Sequence, residues 1–298
     1  MGYLLLFGAL ICGAVKGYCG KKTSCRISTF SDAMTASLLR VIFCAVIGAL
    51  IILITGDFGG LLPDTCTLLI CALSGISTSV MIITWLLAVK RGAYMLLDVF
   101  LMAGVILPII LGIFAFEEKV SIKEWCGIAL LISATLIMCS YNSSIKSRLG
   151  IGSVILLIIC GVSGGLCDFS QKLFINNTGG ISISVFNLYT YLFSALTILL
   201  VVTIFKIKNQ NEAEEEKFNI KSVIGYIGVM AVSLFLYSYL KTGAARFLDS
   251  AELYPLSQGA SLIISSVMAS LLFGEKITAK CVIGLALAFC GLMVINVL

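Results

Sequence analysis

Ten stretches of about twenty apolar residues, separated only by short polar breaks, constrain this chain more than anything else in it. They run approximately over 2–20, 33–55, 65–89, 93–116, 124–141, 150–174, 181–205, 222–241, 249–273 and 279–297. A segment of that length and character covers the roughly 30 Å hydrocarbon core of a bilayer. Lipid offers no partner to a backbone N–H or C=O, so each stretch is predicted to be helical. A β-barrel is excluded, because its strands alternate in polarity over about ten residues. Hydrophobic residues make up 60% of the chain and charged ones 12%, against ~45–50% and ~25% in soluble domains. No water-soluble fold of this size could bury them. The expected fold is an all-α integral membrane protein with ten transmembrane helices. Met1 to Gly20 is apolar like a signal peptide, but no charged segment precedes it, and we read it as a retained first span.

The net charge of +5 sits mostly in loops and forms no stripe interleaved with aromatics, so nucleic acid is not an expected partner. There is no histidine, and the twelve cysteines include no C-x-x-C pair. Ten of those cysteines fall inside apolar runs, where a thiol acts as small, weakly polar filler. No metal or other cofactor is expected. With no H-E-x-x-H motif and no histidine to act as base, the chain is not expected to be an enzyme.

Two sets of words occur twice. Phe116-Glu-Glu-Lys119 lies 157 residues before Phe273-Gly-Glu-Lys276, and Gly127 and Leu130 lie the same distance before Gly284 and Leu287. The pattern CGxxxGxC at Cys12–Cys19 recurs at Cys160–Cys167, an offset of 148. The nine extra residues fit the charged loop over 206–221, which reads as solvated and carries no chemistry of its own. The chain thus divides into two units of five spans, 1–145 and 146–298. Five is odd, so the second unit enters the membrane inverted, and a pair of inverted five-helix repeats places its site at the midplane between them. Counting charges at span ends with the nearer loop, odd-numbered loops hold 13 Lys and Arg and even-numbered loops 5, namely Lys119, Lys123, Lys172, Lys241 and Arg246. Odd loops are therefore expected in the cytoplasm and both termini outside.

This layout, with F-x-E-K before a final glycine-containing span in each half, resembles the drug/metabolite transporter superfamily and within it the EamA-like branch. The matching residues are Leu253-Tyr254-Pro255-Leu256, Gln258-Gly259, Phe273-Gly274-Glu275-Lys276, Gly284 and Gly291, with a fainter first copy in Pro108, Glu118, Lys119 and Gly127. At the level of layout the resemblance covers essentially the whole chain. It implies that spans 1, 3, 4, 6, 8 and 9 lie nearest the pathway. It also implies that the fifth span of each half lies at the periphery or at a homodimer contact.

Ionisable groups within a span cost about 2.5–3.5 kcal/mol at the centre, so each asks for a reason. Asp98 sits about 9 Å inside span 4 and is a candidate substrate or proton site, or an interhelical partner. Asp168 and Lys172 stand four apart on one face of span 6, as a structural ion pair, a gate or a cation site. Lys16 and Arg40 are expected to snorkel or pair, with a pathway role as the alternative. Glu252, Tyr254 and Gln258 flank Pro255, where span 9 can kink, and are candidates for substrate binding or coupling. Trp85, Tyr94, Tyr237 and Tyr239 are either interface anchors or an aromatic wall for a cation or flat ring. Gly13/Gly17 and Gly161/Gly165 form small-xxx-small faces for close helix packing. Glu118 and Glu275 are expected to cap the helix that follows each.

The function expected is secondary transport of a small-molecule substrate, an organic metabolite or drug, across the cytoplasmic membrane by alternating access, with proton-coupled efflux first. A facilitator or uptake permease is the alternative, followed by a flippase for a lipid-linked head group and by a structural or sensing membrane protein. Besides the substrate, the expected partners are membrane lipids and coupling protons.

Overall fold

A computed structural model describes residues 1–27, 29–90, 94–141, 151–178, 180–208, 220–273 and 279–296. Its helices are α1 (Gly2–Ser24), α2 (Phe30–Thr55), α3 (Thr65–Lys90), α4 (Tyr94–Gly104), α5 (Ile106–Phe116), α6 (Ile122–Tyr141), α7 (Ile151–Asn177), α8 (Ile183–Lys208), α9 (Ile224–Ala244), α10 (Ser250–Phe273) and α11 (Ala279–Asn296). All ten predicted spans are helical, and seven of the helices are long and apolar enough to cross a membrane unaided. Leu4, Phe7, Leu53 and Leu200 are among the large apolar side chains exposed on the bundle. A rim of that kind belongs against acyl chains rather than water.

Span 4 departs from the single helix expected over 93–116, since Val105 separates α4 from α5. Pro108 is the cause. It has no N–H to give the carbonyl four residues back, at Gly104, and the Val105 amide turns instead to the Met102 carbonyl at 3.1 Å. Pro255, by contrast, lies inside α10 without interrupting it. Two helix starts are written locally. Thr29 and Asp32 exchange side-chain-to-backbone bonds at 2.9 and 3.1 Å to open α2, and Ser121 and Glu124 do so at 2.6 and 3.2 Å to open α6.

Packing is unchanged when each helix of one half is exchanged for its counterpart in the other. α1 packs on α9 as α7 packs on α3, and α3 on α8 as α9 on α2. α10 meets α1 as α4 and α5 meet α7, while α2 with α8 and α6 with α11 pair with their own counterparts. Two repeats related by an axis in the membrane plane produce this exchange.

Glycine sets the closest of these contacts. A Cβ at Gly161 would strike the Phe100 carbonyl, and one at Gly165 the carbonyl of Gly104 that Pro108 leaves unbonded. A Cβ at Gly127 would stand 2.8 Å from the Gly291 carbonyl, bringing α6 and α11 together the same way. Gly161→Val is expected to destabilise by about 1–3 kcal/mol or more, seen as a lower Tm and a smaller monodisperse fraction in detergent. Gly13→Ala, whose new methyl would rest 3.4 Å from the Tyr237 ring, is expected to be tolerated. Gly161-Val-Ser-Gly-Gly165 also spells the G-x-S-x-G of serine hydrolases. It lies in mid-helix, far from the strand-to-helix elbow that motif needs.

Candidate functional site

A cavity of about 110 Å³ lies between the two halves. Its wall comes from α1, α3, α4, α7, α9 and α10, with Arg40 added by α2 and Tyr191 by α8. The first six are the helices that the family resemblance places nearest the pathway. Apart from Leu101, which sits beside the break between α4 and α5, the lining residues closest to a helix end, Trp85 on α3 and Met268 on α10, are still about 8 Å inside it. The cavity is therefore at mid-depth.

Asp168 forms part of that wall, and behind it stands Lys241 of α9, a wholly buried lysine (0% exposed). The Lys241 ammonium donates to both Asp168 oxygens, at 2.8 and 2.9 Å. The Tyr254 hydroxyl donates to the Asp168 carbonyl at 2.6 Å, and the Tyr254 and Tyr237 rings lie 5.2 and 5.5 Å from the Lys241 ammonium. Tyr237 also carries Lys16 at 4.3 Å from its centroid. One ion pair thus ties α7, α9 and α10 together beside the cavity. Lone ions there would be costly, and each is compensated.

A second cluster closes the even-loop end. Lys172 donates to the Leu248 and Ala245 carbonyls at 2.8 and 3.3 Å, capping the end of α9. Its ammonium also lies 3.1 Å from Glu118 Oε1, a charge contact off the line of a hydrogen bond, and 3.7 Å from Asp249. Asp168 and Lys172 share a helix face yet pair with other residues. Glu118 differs from the expectation that it caps α6: its Oε2 accepts the Ser250 amide at 3.1 Å and so caps α10, 132 residues away. Glu117, in the left-handed conformation at φ 55°, turns the chain to allow this. The α6 start already has its own box, which leaves Glu118 available.

Asp168, Gln258, Lys16, Trp85, Gly13 and Gly17 line the cavity. Tyr254 sits behind the wall and Lys172 beyond it. Glu252 lies away from it, accepting the Tyr3 hydroxyl. Tyr94 and Asp98 belong to α4, but their side chains are outside the described residues. On the odd-loop side, Gly20 of α1 lies under Trp85: a Cβ there would stand 2.6 Å from the ring's Cζ3.

Two buried cations differ from the sequence reading. Lys241 counts as a loop charge because the predicted span ends on it, yet Thr242 to Ala245 continues buried. Arg40 is only 2% exposed and neither snorkels nor meets a carboxylate among the described residues. Its Nη1 contacts Met230 Sδ at 3.4 Å, while Nε and Nη2 are buried without partners. A donor left that way costs about 1–3 kcal/mol, so the empty edge asks for an occupant.

Ten spans in two exchangeable halves, with a mid-depth polar cavity at their junction, have the architecture of an inverted-repeat transporter. The profile of the EamA-like transporter family matches residues 148–297, and the chain belongs to that family. The matched region is the second repeat, the one with the fuller motifs. A protein of known crystal structure shares the fold over 99% of this chain and 96% of its own, with a TM-score of 0.70 at 14% identity. No curated protein matches the sequence.

Proposed function

We propose that the protein moves a small organic metabolite across the cytoplasmic membrane by alternating access, in a cycle of proton-coupled efflux. The Asp168–Lys241 pair at the cavity wall carries this reading. A carboxylate that faces the cavity and holds a buried lysine can respond to a proton and to a solute in the same place. Protonating Asp168 removes the charge that holds Lys241, so proton and solute would each bias how α7, α9 and α10 pack. That shared dependence is a coupling free energy.

Orientation is part of the proposal. With Lys172 and Lys241 buried in the bundle, the even loops keep only Lys119, Lys123 and Arg246, and the excess in the odd loops grows. Odd loops then face the cytoplasm and both termini the outside. Repeat boundaries at 1–145 and 146–298 follow the same division.

The test is a set of currents from reconstituted protein on a solid-supported membrane. Amino acids, quaternary amines, nucleosides, sugars and organic acids would be presented under a pH gradient, with Asp168→Asn beside the native protein. A solute current that follows the gradient in the native protein and ignores it in Asp168→Asn is expected. Gradient-independent current in both would favour the facilitator, and silence across all five classes would overturn transport.

A further inference from the structure

We propose that the cavity takes a small organic anion, held through a carboxylate on the vacant edge of Arg40. This names the substrate class of the transport site above and rests on that reading. Nε–H and the adjacent Nη2 lie on one edge of the planar guanidinium and point the same way. That edge receives both oxygens of a carboxylate in two parallel bonds, and these are the two nitrogens left without partners. Among the described residues the remaining nitrogen donates to a thioether sulfur, a weak acceptor that leaves the charge uncompensated.

The charge around the cavity points the same way. Among the described residues its charged lining is Lys16, Arg40 and Asp168, and both Asp168 oxygens are already held by Lys241. An entering anion meets net positive charge and an unfilled fork, whereas an entering cation meets two like charges and a carboxylate already in use. An aromatic cage for a cation is no better placed, since the Tyr237 ring already serves Lys16 and Lys241. A neutral solute would leave the guanidinium edge unbonded. Met81, Ile82, Leu101 and Leu234 supply an apolar wall for the rest of the molecule. The ligand is thus an apolar body with one planar anionic head.

Four probes of one shape test this by thermal shift on the full-length protein in detergent: 3-phenylpropanoate, 3-phenylpropanamide, 2-phenylethylamine and 2-phenylethyl phosphate. The acid is expected to raise Tm, with the amide and amine leaving it unchanged and the phosphate ester acting more weakly than the acid. Arg40→Lys keeps the charge but lacks the fork, and should weaken binding of the acid by about tenfold or more. No shift with the acid, equal or better stabilisation by the amine, tighter binding of the phosphate ester, or undiminished affinity in Arg40→Lys would each overturn the proposal. Should Arg40→Lys fail to fold, the ranking of the four probes on the native protein decides. Binding of the acid without any current in liposomes would sink the transport reading and leave this one. Currents carried by amines, with no binding of the acid, would do the reverse.

Discussion

Lys241→Met is expected to cost about 3–5 kcal/mol of stability and to abolish solute flux. The substitution keeps the length and apolar stem of the side chain. It leaves a buried carboxylate whose two oxygens have both lost their donor. The loss therefore comes less from the missing attraction than from the unpaired charge that stays behind. Replacing both partners, as Asp168→Asn with Lys241→Met, removes that charge and should recover most of the Tm while restoring none of the flux. Thermal unfolding of the native, single and double variants gives the interaction directly as a mutant cycle. A Lys241→Met protein as stable as the native one would show that the pair does not hold α7 to α9, and the coupling role proposed for Asp168 would go with it.

Lys172→Met should open the even-loop end. The lysine satisfies the C-cap carbonyl of α9 and one in the turn that follows it, and sits against Glu118, whose other oxygen caps α10. Its removal frees two helix ends at once and strands a carboxylate that is mostly buried, at a cost of about 3 kcal/mol or more. Cys167 provides the readout, because it lines the cavity and hydrogen-bonds Thr78 at 3.2 Å. In proteoliposomes with the exposed Cys66 and Cys126 replaced by Ser, an impermeant thiol reagent on the even-loop side should label Cys167 slowly. In Lys172→Met, labelling should accelerate by roughly tenfold, the rate equivalent of about 1.4 kcal/mol less opening energy. An unchanged rate would mean that the cluster is no barrier.

How far the sequence could be read depended on the range of each interaction. The spans were legible because each is a local property of about twenty consecutive residues. Asp168 was legible because it stands well inside one of them. The break at Val105 had a local cause in Pro108, yet Pro255 leaves α10 whole, so a proline in the sequence does not by itself fix where a helix breaks. Lys241 was misplaced because a span is normally ended at a charge. Only its partner 73 residues away makes burial affordable. Glu118 was assigned to the nearest helix start, whereas its actual partner lies across the repeat boundary. Arg40 is the one charge past the first turn of a 26-residue helix that is otherwise strongly apolar, and averaging over the window conceals it.

Gly20 stands 148 residues before Asp168, the offset that relates α1 to α7. Where Asp168 meets a lysine of α9, Gly20 meets the Trp85 ring on α3, the counterpart of α9. Duplication thus left one contact ionic and the other apolar at equivalent places on opposite faces. Separating an ion pair becomes easier with acid and with water entry. Separating an aromatic ring from a glycine backbone exposes apolar surface, and that cost shrinks on cooling. In the proposed cycle the two faces would then answer to different variables, acid loosening the even-loop face and cold loosening the odd-loop face.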